Sequence, residues 1–238
     1  MREAIANAKL YEINDMVKIG ANDCLGCHAC CQGMGESIVL DAYDIWQLET
    51  HLHTTFAGLL QETVALHVSD GLILPSLKMQ ASKEQCGFLT TEGRCGIHDF
   101  RPGLCRLFPL GRHYEDGKLF YFLLEGACPV CQHTKMKVKK WLSVPDSRKY
   151  EEFLVAWHDL RKGLQTKLTA VLEQEEGEVL KGDGSVPDIE TEKMEWVKKV
   201  NMNLLHIFYE LPYEPEDFYG QFAMRMRAFE EAVSGKRR

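Results

Sequence analysis

Apolar residues recur at three- and four-residue steps along much of the second half of the chain. Phe153, Trp157, Leu160, Leu164, Leu168 and Val171 trace one amphipathic helix; Met194, Val197, Leu204, Phe208 and Leu211 trace a second. Phe218, Phe222, Met226, Phe229 and Val233 mark a third, and the Met and Phe positions of these stripes read as core packing. Between the first two, EEGEVLKGDGSVPD breaks the period with glycines and Pro187. It reads as a linker, because no strand precedes its G-D-G to make a nucleotide loop. Ile5, Leu10, Ile13 and Val17 also fall at helical spacing and predict a helix at the N-terminus.

The middle of the chain has shorter periods. SIVL at 37–40 predicts a short strand, and Asp41 is placed to cap a helix carrying Ile45, Leu48 and Leu52. LILPSLKM at 72–79 reads as extended, and Asp116-Gly117 between two apolar runs is a hairpin signal. The expected class is α+β: a cysteine-rich strand-and-loop segment packed against amphipathic helices from both termini. Residues 1–131 would form an N-terminal helix plus a metal-binding domain, and 132–238 a mostly helical region.

Composition narrows the function. The chain has 238 residues, 45% hydrophobic and 26% charged, with a net charge of −7. An acidic balance argues against nucleic-acid binding through phosphates. LFYFLL at 119–124 is too short to cross a bilayer, and no continuous apolar run near Met1 resembles an export signal. A cytoplasmic location is expected. The basic run HTKMKVKKWLSVPDSRK at 133–149 reads as a solvated face or linker in preference to a partner-docking face.

The cysteines change the picture most. All nine lie between Cys24 and Cys131, a segregation that scattered core thiols would not show. An odd count in a mid-sized chain without an export signal disfavours a disulfide framework, so grouped thiols read as metal ligands. C-L-G-C-H at 24–28 has the spacing of a haem c attachment site. That chemistry takes place outside the cytoplasm, which makes haem the lesser reading. The wider pattern is C-x2-C-x2-C-C at Cys24, Cys27, Cys30 and Cys31, then Cys86, Cys95 and Cys105, then Cys128 and Cys131. Three thiols at even x2 steps let one loop wrap a cluster, as in the opening of bacterial ferredoxins; Cys128-Pro129 could supply a remote ligand. The C-x3-C-x2-C spacing of radical SAM clusters is missing. Cys30-Cys31 implies two centres, or one ligand beside one bystander. Arg101 and Arg106 flank Cys105 and could offset thiolate charge or hydrogen-bond sulfur or carbonyls. Gly33 and Gly35 could offer N–H groups to sulfur or simply form a turn. His28 and His98 read as surface or supporting residues rather than ligands.

CLGCHACC and CGFLTTEGRCGIHDFRPGLCRLFPL at 86–110 together resemble the YkgJ-type cysteine-cluster family, known by its C-x2-C-x2-C-C opening and described as a zinc- or iron-chelating domain. Its second signature is met by Cys86, Phe88, Leu89, Cys95, Ile97, Arg101, Pro102, Cys105, Arg106, Phe108 and Pro109. The resemblance spans roughly 20–131 and implies a metal site. A related domain occurs in a flagellin lysine N-methylase, which implies a link to methyl transfer. The expected function is to carry one or two cysteine-ligated iron–sulfur clusters, in electron transfer or in support of a modifying reaction with a protein partner. The alternative is structural zinc, with the helical half as an interaction module. Cys24, Cys27, Cys30, Cys86, Cys95 and Cys105 are the expected ligands; Cys31, Cys128 and Cys131 include at least one spare. No H-E-x-x-H, G-x-S-x-G or P-loop is present.

Overall fold

The computed structural model describes residues 8–20, 27–80, 84–128, 134–173 and 189–234. The expected N-terminal helix is replaced, over its described part, by two strands, β1 (Leu10–Tyr11) and β2 (Met16–Gly20). The reason is visible in MVKIG: Met16 and Lys18 are exposed while Val17 and Ile19 are buried. That two-residue alternation fits a strand, and it overrides the four-residue step from Ile13 to Val17.

Asp41 caps α1 (Ala42–Leu52) as expected. Its carboxylate accepts the Asp44 N–H at 3.0 Å, and Asp44 accepts the Asp41 N–H at 3.1 Å, closing a capping box. After α2 (Phe56–Glu62), strands β3 (Val64–Ser69) and β4 (Leu72–Leu77) pair antiparallel across Asp70-Gly71, both with positive φ. This Asp-Gly turn carries the same signal as the one at 116–117 and is legible in the sequence. SIVL reduces to an isolated bridge of Val39 to Ser76 along the free edge of β4, with the Leu40 N–H donating to the Pro75 carbonyl at 2.8 Å. Two-residue strands β5 (Met79–Gln80) and β6 (Gln85–Cys86) pair next, and α3 (Gly103–Leu107) follows.

The hairpin expected at Asp116-Gly117 joins β7 (Leu110–Glu115) to β8 (Lys118–Leu123), and β1 adds to its edge in the order β1-β8-β7. The basic run is woven into the fold. Its strand β9 (Thr134–Lys137) pairs with β2, and α4 (Val138–Leu142) buries Val138 and Leu142 while Lys135, Lys139 and Lys140 stay exposed.

The three C-terminal helices are α5 (Ser147–Glu173), α6 (Ile189–Leu205) and α7 (Phe218–Ser234), with a π-helical turn, His206–Glu210, after α6. The linker expected between α5 and α6 lies outside the described residues. Phe208, Phe218, Phe222 and Phe229 are buried as the stripes require, whereas Met194 is exposed. One apolar core runs through residues from both halves, from Val17 and Leu40 to Trp157 and Phe229. Asn201 on α6 clips the β3–β4 turn, accepting the Ile73 N–H at 2.7 Å and donating to the Gly71 carbonyl at 3.1 Å. Among the described residues no helix is long and apolar enough to cross a membrane.

Candidate metal centre

Four short segments bring thiols to one place. Cys30 and Cys31 sit on a 3-10 turn, Ala29–Cys31; Cys86 ends β6; Cys95 bridges back to Leu89; Cys105 stands in α3. With Cys27 they line a single cavity of about 1170 Å³. The described cysteines are free thiols. Cys24 and Cys131 lie outside the described residues, and Cys128 is half-buried and does not line the cavity. Among the described residues no three Cys, His, Asp or Glu side chains close on a common point as a metal-binding group; the thiols surround the cavity instead.

Cys86-Gly87-Phe88 and Cys95-Gly96-Ile97 form matched turns. In each, the amide two residues on donates to the sulfur and favours the thiolate, while burial raises both thiols' pKa. The turns are held face to face by Gly96 N–H donating to the Phe88 carbonyl at 2.8 Å. A Cβ on Gly96 would stand 3.3 Å from that same carbonyl. Cys31 donates its S–H to Cys30, so Cys30 ionises first, its pKa pulled down to about 6 by that bond and, last among the causes, by Arg101. Cys31 is pushed up as the donor and by its own burial. Burial also raises Cys105, followed by the Asp44 carboxyl and the neighbouring thiols. Mutual influence among Cys30, Cys31, Cys86, Cys95 and Cys105 shows that they share one field.

The two arginines of the second motif do different things. Arg101 lines the cavity, favours the thiolates of Cys30 and Cys95, and contacts His98 Nε2 through Nη1 at 2.6 Å. Arg106 is buried and is not among the residues lining the cavity. It donates to the Leu142, Ser143, Asp99 and Arg101 carbonyls at 2.9–3.3 Å, tying the motif to the end of α4. His28 lines the cavity with a buried, unpartnered Nδ1, and a Cβ on Gly93 (φ +73°) would stand 3.1 Å from that atom. Gly33 spends its N–H on the Glu84 carbonyl at 2.7 Å and serves the turn, not a sulfur.

Asp44 was not visible as a site residue in the sequence. Its Oδ1 accepts the Gly103 N–H at 2.7 Å, which locks α1 to the loop that presents Cys105. A Cβ at Gly103 would stand 2.9 Å from Arg112 Nη2, so the R-P-G-L-C-R turn needs glycine there. The helix cap Asp41 together with an Asp three residues on is the one sequence signal that could have drawn attention to Asp44.

A set of clustered thiols, two with amide hydrogen bonds to sulfur and one already disposed to ionise beside a cation, fits a soft metal centre. The family comparison reaches the same place. A family model described as "CxxCxxCC: putative zinc- or iron-chelating domain" matches residues 23–129. Residues 23–129, under half of the chain, are similar to that family. No curated protein and no solved structure matches the chain. The CxxCxxCC segment therefore begins just before the opening cysteine pattern and ends beside Cys128, enclosing every thiol that lines the cavity.

Proposed function

We propose that the protein holds an iron–sulfur cluster on the cavity thiols and serves electron transfer, or supports a modifying reaction such as methyl transfer, with a protein partner in the cytoplasm. The observation that carries this reading is that Cys27, Cys30, Cys31, Cys86, Cys95 and Cys105 all line one cavity. That is more thiols than a mononuclear zinc site uses, and the cavity has room for a polynuclear group. Cys30, Cys86, Cys95 and Cys105 would hold it, with Cys27 and Cys31 beside them. Arg101 would offset the anionic charge that four thiolates accumulate, and the amides of Phe88 and Ile97 would donate to the ligating sulfurs. Such a cluster supplies a one-electron couple whose potential is set by charge and hydrogen bonds at sulfur.

Structural zinc is the second reading. The matched Cys-Gly-X turns favour it, since together they present two sulfurs in a fixed relation, half of a tetrahedral set. Anaerobic purification decides between them. Iron with acid-labile sulfide in a brown sample is expected; a colourless sample with zinc and no iron would overturn the cluster.

A further inference from the structure

The cavity has a second end with different chemistry. Arg112 on β7 and Arg161 on α5 line it, near Asp41 and Trp157. On each arginine Nε is sealed from solvent and has no hydrogen-bond partner among the described residues. The described ion pairs are His98–Asp99, Arg148–Glu152 and His206–Glu210, so neither of these cations has one. Arg112 donates to the Tyr150 hydroxyl at 3.2 Å, and its charge acts on Tyr114 as well. Asp41 and Tyr114 both feel the positive charges of Arg112 and Arg161, whereas the thiols feel Arg101. Asp44 stands between the two ends, near both Cys105 and Arg112.

Local geometry sets each arginine beside one ring of a stack. Tyr114 stacks on His158 with ring centroids 3.8 Å apart and planes 3° from parallel. Tyr114 is two residues from Arg112 on its strand, and His158 is three from Arg161 on its helix. Each arginine therefore shares a face with a member of that stack.

We propose that this end binds a small organic molecule through a carboxylate held by Arg112 and Arg161, with its apolar remainder along Leu110, Leu154 and Trp157. A guanidinium presents Nε–H and an Nη–H along one edge, which matches the two oxygens of a carboxylate. A buried donor left unmade is costly, and a ligand acceptor removes that cost. The carboxyls near Arg112 are Asp41 and Asp44, and burial raises both, so the two guanidiniums are left short of negative charge and suit a monoanion. Inorganic phosphate would place more charge near Asp41 and leave the apolar wall unused.

The test is calorimetric titration of the purified, metal-containing chain with hexanoate, hexanol and inorganic phosphate. Hexanoate is expected to bind and the other two are not. Arg161→Gln should weaken hexanoate about tenfold or more, with metal content and circular dichroism unchanged. Should that variant fail to fold, Arg161→Lys, which keeps the charge without the two-donor edge, should still weaken it severalfold. Binding of phosphate without hexanoate, no hexanoate binding at all, or hexanoate binding unaltered in both Arg161 variants would overturn the site. A Cys86→Ser chain stripped of metal should still take hexanoate, which keeps this test distinct from the question of metal.

Discussion

The helical layer and the cysteine cavity handle buried cations in opposite ways. On α7, Arg225 donates to the Ile207, Leu211 and Pro212 carbonyls at 2.6–2.9 Å, and its guanidinium lies 3.5 Å over the Tyr213 ring. The carbonyls it caps include that of Ile207 inside the π-helical turn and those just beyond it, groups that a regular helix would not leave waiting. Around it Trp157, Phe208, Phe222 and Phe229 interlock edge to face and tilted, with centroids 5.1–6.3 Å apart. Little is left unmade there. In the cavity, by contrast, Arg101, Arg112 and Arg161 each keep a buried Nε without a partner, His28 keeps a buried Nδ1, and several thiols face one another across open space. A polar network that is fully satisfied fixes a structure, whereas one left incomplete by the chain is poised for a ligand. The fold thus keeps its rigid packing and its unmade bonds in adjoining regions of a single core.

The largest effect that would break this contrast is loss of metal. Cys86→Ser or Cys95→Ser should lower metal affinity by more than about a hundredfold, because losing even a supporting partner costs about 10- to 100-fold and a hydroxyl is a poor soft-metal ligand. Elemental analysis of the purified variants reads this directly, with Cys128→Ser, whose thiol does not line the cavity, as the unchanged control. Equal loss in Cys128→Ser would mean that the cavity does not define the centre.

Next in size is Arg225→Ala, which strands the carbonyls that Arg225 caps and removes its contact with Tyr213. Urea unfolding should show destabilisation by about 3 kcal/mol with metal content intact. Coupled loss of metal would show that the two regions are not independent.

The smallest effect concerns pH. Burial, then the neighbouring Asp41, holds the Asp44 carboxyl well above its ordinary value of 3.8. The folded chain therefore keeps a proton that the unfolded chain releases, and stability falls as pH rises from about 3.8 toward the raised folded value. Asp44→Asn should remove up to about 1.4 kcal/mol per pH unit of that slope. Stability–pH curves of the two chains should then diverge across this window; parallel curves would show that Asp44 is not protonated in the fold.

Much of the fold follows from short-range pattern. The Asp41 cap, the Asp116-Gly117 hairpin and the stripes of α5 and α7 each depend on neighbours within a few residues, so local sequence carries them. Two failures are instructive. Ile13 and Val17 suggested a helix, yet the alternation within MVKIG and the available edge of β9 made Met16–Gly20 a strand, since strand pairing is settled by a partner far along the chain. Met194 kept the helical period but is exposed, because a stripe does not say how far the neighbouring layer extends.

Residue order alone shows that the chain concentrates thiols in one CxxCxxCC segment, that those thiols suit a soft metal, and that helices follow it. Ligand type and spacing are properties of residues and short loops, and they survive without coordinates. It took the folded chain to bring Cys86, Cys95 and Cys105 to Cys30 and Cys31, to set Arg106 on carbonyls and Arg101 near thiols, and to line the same cavity with Arg112 and Arg161. Those juxtapositions join segments that are distant along the chain. They are fixed by burial, hydrogen-bond satisfaction and packing across the whole core, and no local pattern records them.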